Sequence, residues 1–184
     1  REALKKLQVM GVVESKVGRG SFITNIKVKD VMDFMVAQLV MTPGDIKNLI
    51  EMRRVLEINA AKLAAERATE EGVEKLEDAL LKMKMAMDDS KTFVENDMAF
   101  HFLLTNLTNN VYYRIVLNAI GNMLYKLQHE VAELSEAKTR ALRFHSLIVE
   151  AIKDRNPDEA KRWMANHLDD TFLAIMTKKE SFNL

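Results

Sequence analysis

Apolar residues recur every three to four positions through most of the chain, a spacing that predicts helices. From Thr42-Pro43 to about Ala68, the positions Leu49, Ile50, Val55, Leu56, Ala60, Leu63 and Ala64 keep this period. Thr42 suits an N-cap, and Pro43 suits the first helical position, where a missing N–H costs nothing. Thr69 caps a second helix that runs to about Met87, and Asp88-Asp89-Ser90 breaks the pattern. A third helix spans about Thr92 to Leu107 and stops at Asn109-Asn110. A fourth runs from about Val111 to Leu134 and a fifth from about Ala137 to Asp154. The last opens at Asn156-Pro157, carries Trp163 and reaches about Thr177. Short connections make successive helices antiparallel, so the segment reads as an all-α antiparallel bundle of about six helices. Methionines at helical spacing, Met83 and Met87 among them, fit core packing better than a promiscuous binding surface.

The start of the chain breaks this pattern. Residues 1–9 read as the end of a helix, with Ala3, Leu4 and Leu7 on one face, Lys5 and Lys6 opposite, and Gly11 as the stop. Val12 to Val17, Gly18-Arg19-Gly20 and Ser21 to Thr24 then read as strand, glycine turn and strand. A helix followed by a basic-tipped hairpin is the C-terminal half of a winged helix-turn-helix. The expected organisation is a partial winged-helix DNA-binding domain over 1–28, a linker over 29–41 and a helical domain over 42–184. The chain opens inside a helical pattern without a methionine, which leads us to expect preceding residues of the same domain.

Charge sharpens this division. The formal net charge is zero, yet residues 1–29 hold seven basic side chains against two acidic ones, Glu2 and Glu14. A basic end on an acidic body suits a polyanion partner, and a merely solvated basic segment is the alternative. Cysteine is absent, so disulfides and thiolate metal sites are excluded, and any metal must be held by His, Asp or Glu. No apolar run approaches the ~18 residues that span a bilayer, and nothing at the start reads as a signal peptide, so a cytoplasmic location is expected.

Four histidines are present, and three fall into a pattern with one aspartate. Asp97 and His101 stand four apart on one helix face, about 6 Å apart at Cβ, so both can reach one ion. His145 and His167 flank the turn at Asn156 symmetrically. At 1.5 Å per residue each lies ~15 Å from that turn, so an antiparallel hairpin sets them level. If the Asp97 helix packs alongside, the donors converge. The alternatives are a helix-surface Asp–His hydrogen bond and packed or exposed histidines. His129, beside Glu130, reads as surface. Three imidazoles and a carboxylate suit Zn²⁺, Ni²⁺, Fe²⁺, Co²⁺ or Mn²⁺, one ion per chain. An ion with open positions would favour a small carboxylate or could activate water.

The sequence resembles the GntR-type bacterial transcription regulators of the FadR subgroup, with their helical FCD ligand-binding domain, over essentially its whole length. Arg1-Glu2-Ala3-Leu4-Lys5-Lys6-Leu7 resembles the end of that family's recognition helix, and Gly11-Val12-Val13 with Gly18-Arg19-Gly20-Ser21-Phe22-Ile23 its strand and wing. Arg53-Arg54-Val55-Leu56-Glu57 followed by Ala60-Ala61-Lys62-Leu63-Ala64-Ala65 is similar to the first-helix signature of the FCD domain. Asp97-Met98-Ala99-Phe100-His101 matches its Asp-x-x-Phe-His motif, and His145-x-x-Ile148-x-x-Ala151-Ile152 and Met164-x-x-His167-Leu168 match its closing motifs. The resemblance implies that Asp97, His101, His145 and His167 bind the metal and that Arg53 meets the effector. A guanidinium suits a carboxylate through a bidentate fork, whereas a surface ion pair with Glu57 is the alternative. It also implies that Arg1 and Lys5, with Lys16 and Arg19 of the wing, contact DNA.

The expected function is a metabolite-responsive transcription factor, not an enzyme, that binds operator DNA, a divalent metal and a small carboxylate metabolite. A homodimer is expected because paired half-sites mirror protein symmetry. A metal-dependent hydrolase or lyase using the same Asp/His site is the alternative, although no general base stands near the motif. A helical interaction module with packed histidines is the third reading.

Overall fold

A computed structural model of the chain describes residues 2–24, 43–134 and 136–182. Arg1, the Thr42 cap and the expected linker lie outside the described residues. The chain divides into two compact units, Arg1–Thr42 and Pro43–Leu184.

In the first unit, helix α1 (Glu2–Val9) is followed by strands β1 (Val13–Lys16) and β2 (Gly20–Ile23). Gly11 ends α1 in a left-handed conformation, φ +70°. The Val12 and Gly11 N–H groups return to Leu7 O and Gln8 O, the paired bonds that close a helix at a left-handed glycine. β1 and β2 are antiparallel, with Val13 opposite Ile23 and Lys16 opposite Gly20. This register makes β1 shorter than the expected span and moves β2 one residue toward the turn, because Gly18 and Gly20 both take positive φ and the chain reverses between them. Ser15 and Ser21 share a cross-strand hydrogen bond of 2.7 Å.

The second unit is helical throughout: α2 (Pro43–Arg67), α3 (Glu70–Met85), α4 (Ser90–Leu107), α5 (Val111–Ala132), α6 (Ala137–Lys153) and α7 (Pro157–Phe182). α2 packs against α4, α6 and α7, while α3 covers α4 and α6, and α5 lies along α4. The small stripe Ala60, Ala61, Ala64, Ala65 and Ala68 is fully buried and lets the surrounding helices approach α2 closely. Phe100, Leu104, Ile148, Ile152, Met164 and Leu168 fill the space around it. Met83 is buried in the same cluster, with Met87 packed against it, as their spacing predicts.

Several helix boundaries differ from the sequence pattern: α3 ends at Met85, short of Met87, and α7 runs past Thr177 to Phe182. α4 begins at Ser90 because Asp89 caps it, its carboxylate accepting from the Lys91 and Thr92 N–H groups, so part of the apparent breaker is a start signal. α5 ends at Ala132, and the Leu134 N–H turns back to Val131 O. Among the described residues, no helix is long and apolar enough to cross a membrane.

Candidate metal centre

Three helices carry the four singled-out side chains. Asp97 and His101 lie one turn apart on the inner face of α4, between Phe93, Val94, Phe100 and Leu104. His145 comes from α6 and His167 from α7. Between those helices the chain reverses through Arg155, at φ +55°, and the Asn156 side chain accepts from the Glu159 N–H to start α7. Both helices are regular, so the two rings end level, their centroids 4.5 Å apart. Phe100 packs on the His145 ring at 4.3 Å and meets the His101 ring edge-on.

The structure brings all four residues together, with one donor atom from each lying within 4.8 Å of the others. His101 Nε2 is 3.3 Å from His145 Nε2 and 3.3 Å from His167 Nε2. The Asp97 carboxylate oxygens stand 3.8 Å from His101 Nε2 and 3.6 Å from His145 Nε2. All four side chains are buried, His101 and His145 completely. Nitrogen atoms bound ~2.1 Å from a shared ion stand roughly 3.0–3.4 Å apart, so this spacing fits a common ion. Three imidazole nitrogens and a carboxylate converging in one buried space are a donor set that fits a divalent transition-metal ion.

Protonation favours the same occupant. Burial, with His101 and Arg53 nearby, pushes His145 well below the ordinary histidine value of 6.5. Burial, His145, His101 and Arg53 do the same to His167. Both rings are therefore neutral near pH 7, the form that ligates metal. Burial pushes the Asp97 carboxyl up, against the pull of His101 and Arg53. Gln128 of α5 donates to Asp97 Oδ2 at 3.0 Å and orients it.

Behind His101 lies a group that the sequence reading treated differently. Glu57 of α2 is completely buried, one oxygen in close contact with His101 Nδ1 and the other accepting from Arg53 Nε. Burial alone would raise the Glu57 carboxyl, but Arg53 and then His101 outweigh it and hold it at about 2. The Arg53–Glu57 pair is thus internal, not the surface pair that stood as the alternative to an effector contact for Arg53. Their buried neighbours Ile50, Ala60, Ala61 and Ala64 continue the same face of α2, which was the available signal. Gln128 likewise interrupts the buried stripe Leu124, Leu127, Val131 of α5.

A cavity of about 20 Å³ opens beside Asp97 and His167, enough for a water-sized group. Gln128, Lys138, Asp170 and Thr171 give it a polar lining, and Arg53 does not reach it. Arg53 Nη2 is nevertheless buried and without a hydrogen-bond partner among the described residues. His129 is half-buried beside the Tyr125 ring, 6.3 Å between centroids, and takes no part in the cluster. In the first unit Lys5, Lys16 and Arg19 are exposed, Arg19 on the hairpin turn and Lys16 at the end of β1, 3.8 Å from Glu14.

Comparison with known proteins agrees with this architecture. Residues 48–170 match the FCD domain. The chain is 33% identical to the HTH-type transcriptional regulator LutR of Bacillus subtilis, over 91% of this chain and 79% of that one. It is 30% identical to the HTH-type transcriptional repressor NanR of Cronobacter sakazakii, over 98% of this chain and 73% of that one. Among solved structures, a GntR protein of Streptococcus agalactiae superposes with a TM-score of 0.67 at 25% identity, over 92% of this chain and 78% of that one. McbR/YncC of E. coli shares the fold, with a TM-score of 0.66 at 15% identity, over 97% and 83% of the respective chains. LutR and NanR are both transcription regulators by name.

Proposed function

Because this chain belongs to the FCD-domain family of GntR-type transcription regulators, we propose that its helical unit senses a small carboxylate metabolite through one bound divalent transition-metal ion, and that the response is exerted on operator DNA. The convergence of Asp97, His101, His145 and His167 in one buried space carries this reading. An ion held there offers a positive charge with positions open to a carboxylate oxygen. Gln128 fixes the Asp97 oxygen that would share it, and Arg53 and Glu57 offset one another. A divalent ion balanced only by Asp97 leaves one positive charge in a dry setting, which favours an anionic effector.

The side chains around the centre divide the remaining work. Lys138 stands at the cavity and adds positive charge where an anion would enter, while Thr171 and Gln128 supply neutral polar atoms. Arg53 Nη2 is a buried donor without a hydrogen-bond partner among the described residues, and because Arg53 does not line the cavity, an effector group must pass beyond the cavity to meet it. Effector binding alters DNA affinity only if the two arrangements of the protein hold the effector with different affinity. On the DNA side, Lys5, Lys16, Arg19 and Arg1 supply cations for phosphate or groove contacts. The active species is a cytoplasmic homodimer.

Metal analysis tests the central claim. Protein purified without an immobilised-metal column should carry close to one equivalent of zinc, nickel, cobalt, iron or manganese per chain, and Asp97→Ala should carry far less. A wild-type preparation with only traces of metal, which takes up none on addition, removes the proposal.

A further inference from the structure

The Arg53–Glu57 pair is an expensive arrangement if it serves packing alone. Burying two charges carries a large desolvation cost before their attraction is counted, and well-packed apolar replacements are often no less stable. One Glu57 oxygen engages Arg53 Nε, while the other is turned to His101 Nδ1. An ionised carboxylate can only accept, so a ring nitrogen in contact with it must carry the proton. Neutral imidazole has one N–H, and with it on Nδ1 the opposite nitrogen presents a lone pair. That nitrogen, Nε2, is the one 3.3 Å from both His145 Nε2 and His167 Nε2. Neither Nδ1 makes a hydrogen bond of regular geometry, but His145 Nδ1 lacks the close carboxylate contact that His101 Nδ1 has with Glu57.

We infer that Glu57, held in place by Arg53, is a positioning residue of the metal centre: it fixes His101 in the Nδ1–H form and aims Nε2 at the ion. α2 supplies no ligand of its own, so this contact ties it to the occupancy of the site. Carboxylates behind metal-bound imidazoles orient the ring and raise its basicity, and their loss commonly weakens metal binding ~10–100-fold. The inference rests on the reading of the cluster as a metal site.

Glu57→Gln keeps shape and an acceptor but removes the charge. In the full chain, zinc affinity measured by competition with a chromophoric chelator should fall ~10–100-fold. The visible bands of the cobalt(II)-loaded protein should shift, since His101 becomes a weaker donor. Folded Glu57→Gln with zinc affinity within about twofold of wild type and unchanged cobalt bands overturns the inference. Should that variant fail to fold, Arg53→Met/Glu57→Gln, which removes the stranded guanidinium as well, is judged by the same two readouts. Long-range ¹H–¹⁵N spectra of the wild-type protein give a result that needs no substitution. His101 protonated at Nδ1 with and without metal supports the inference, and at Nε2 overturns it. A wild-type chain that binds no metal defeats the proposed sensing site and the inference with it; a metal-binding chain indifferent to Glu57→Gln defeats only the inference.

Discussion

At the scale of single residues, the chemistry of this protein depends on charges kept away from water in complementary sets. Arg53 and Glu57 are both buried, and each is tolerable only with the other. Arg53→Met should therefore cost ~3–5 kcal/mol, because it strands a buried carboxylate. Arg53→Met/Glu57→Leu should recover much of that loss in urea unfolding of the metal-free chain, although it abolishes the contact with His101. Acid should act through the histidines. His145 and His167 are held below 6.5 by burial and by His101 and Arg53, while Asp97 and Glu57 face the same cluster. Below that pH the unfolded chain takes up protons that the folded rings refuse, so stability increases with pH across this range. Metal-free protein should lose stability steadily as pH falls below about 6.5, measured as the denaturation midpoint, and should level off above it.

Elements act by delivering these residues in register. α4 places Asp97 and His101 one turn apart, and its start is fixed by the Asp89 carboxylate on the Lys91 and Thr92 N–H groups. Asp89→Ala should lower stability by ~1 kcal/mol, the usual loss for an N-cap, and should leave zinc stoichiometry unchanged. Thermal unfolding and metal analysis check the two halves of that expectation. The α6–α7 hairpin performs the companion task for His145 and His167. Its geometry was legible from the sequence, since equal spacing from Asn156 on two regular helices leaves little freedom. The start of α4 was not, because Asp88-Asp89-Ser90 has the composition of both a breaker and a cap, and only the direction of the Asp89 side chain separates the two.

Across the whole molecule, the four donors all belong to the unit Pro43–Leu184 and come from three of its helices. Metal bound by the folded unit and not by the unfolded chain stabilises it by mass action, ~2.7 kcal/mol at a free concentration of a hundred times the dissociation constant. Zinc should accordingly raise the helical melting midpoint in circular dichroism, a chelator should reverse the rise, and Asp97→Ala should abolish it. The opposite charge of the two ends has a separate consequence. The described basic side chains of the first unit, Lys5, Lys6, Lys16 and Arg19, are solvent-exposed and their effects are screened by salt, whereas the buried centre is largely protected from it.

The sequence alone determined the helical class, the basic hairpin and the identity of the four clustered residues. Each of these follows from local rules: the period of apolar positions, glycines at a reversal, and side chains four apart or equidistant from a turn. Tertiary packing decided what lies behind and beside the cluster. Glu57 and Gln128 interrupt apolar faces of α2 and α5, and along the chain a charged residue at such a place reads as an exposed ion pair or a tolerated polar. Only the approach of α4 turns Glu57 toward His101 and Gln128 toward Asp97. A local pattern fixes which residues share a helix face, but the partner opposite that face, and hence whether a charge is solvated or sealed, is a property of the assembled bundle.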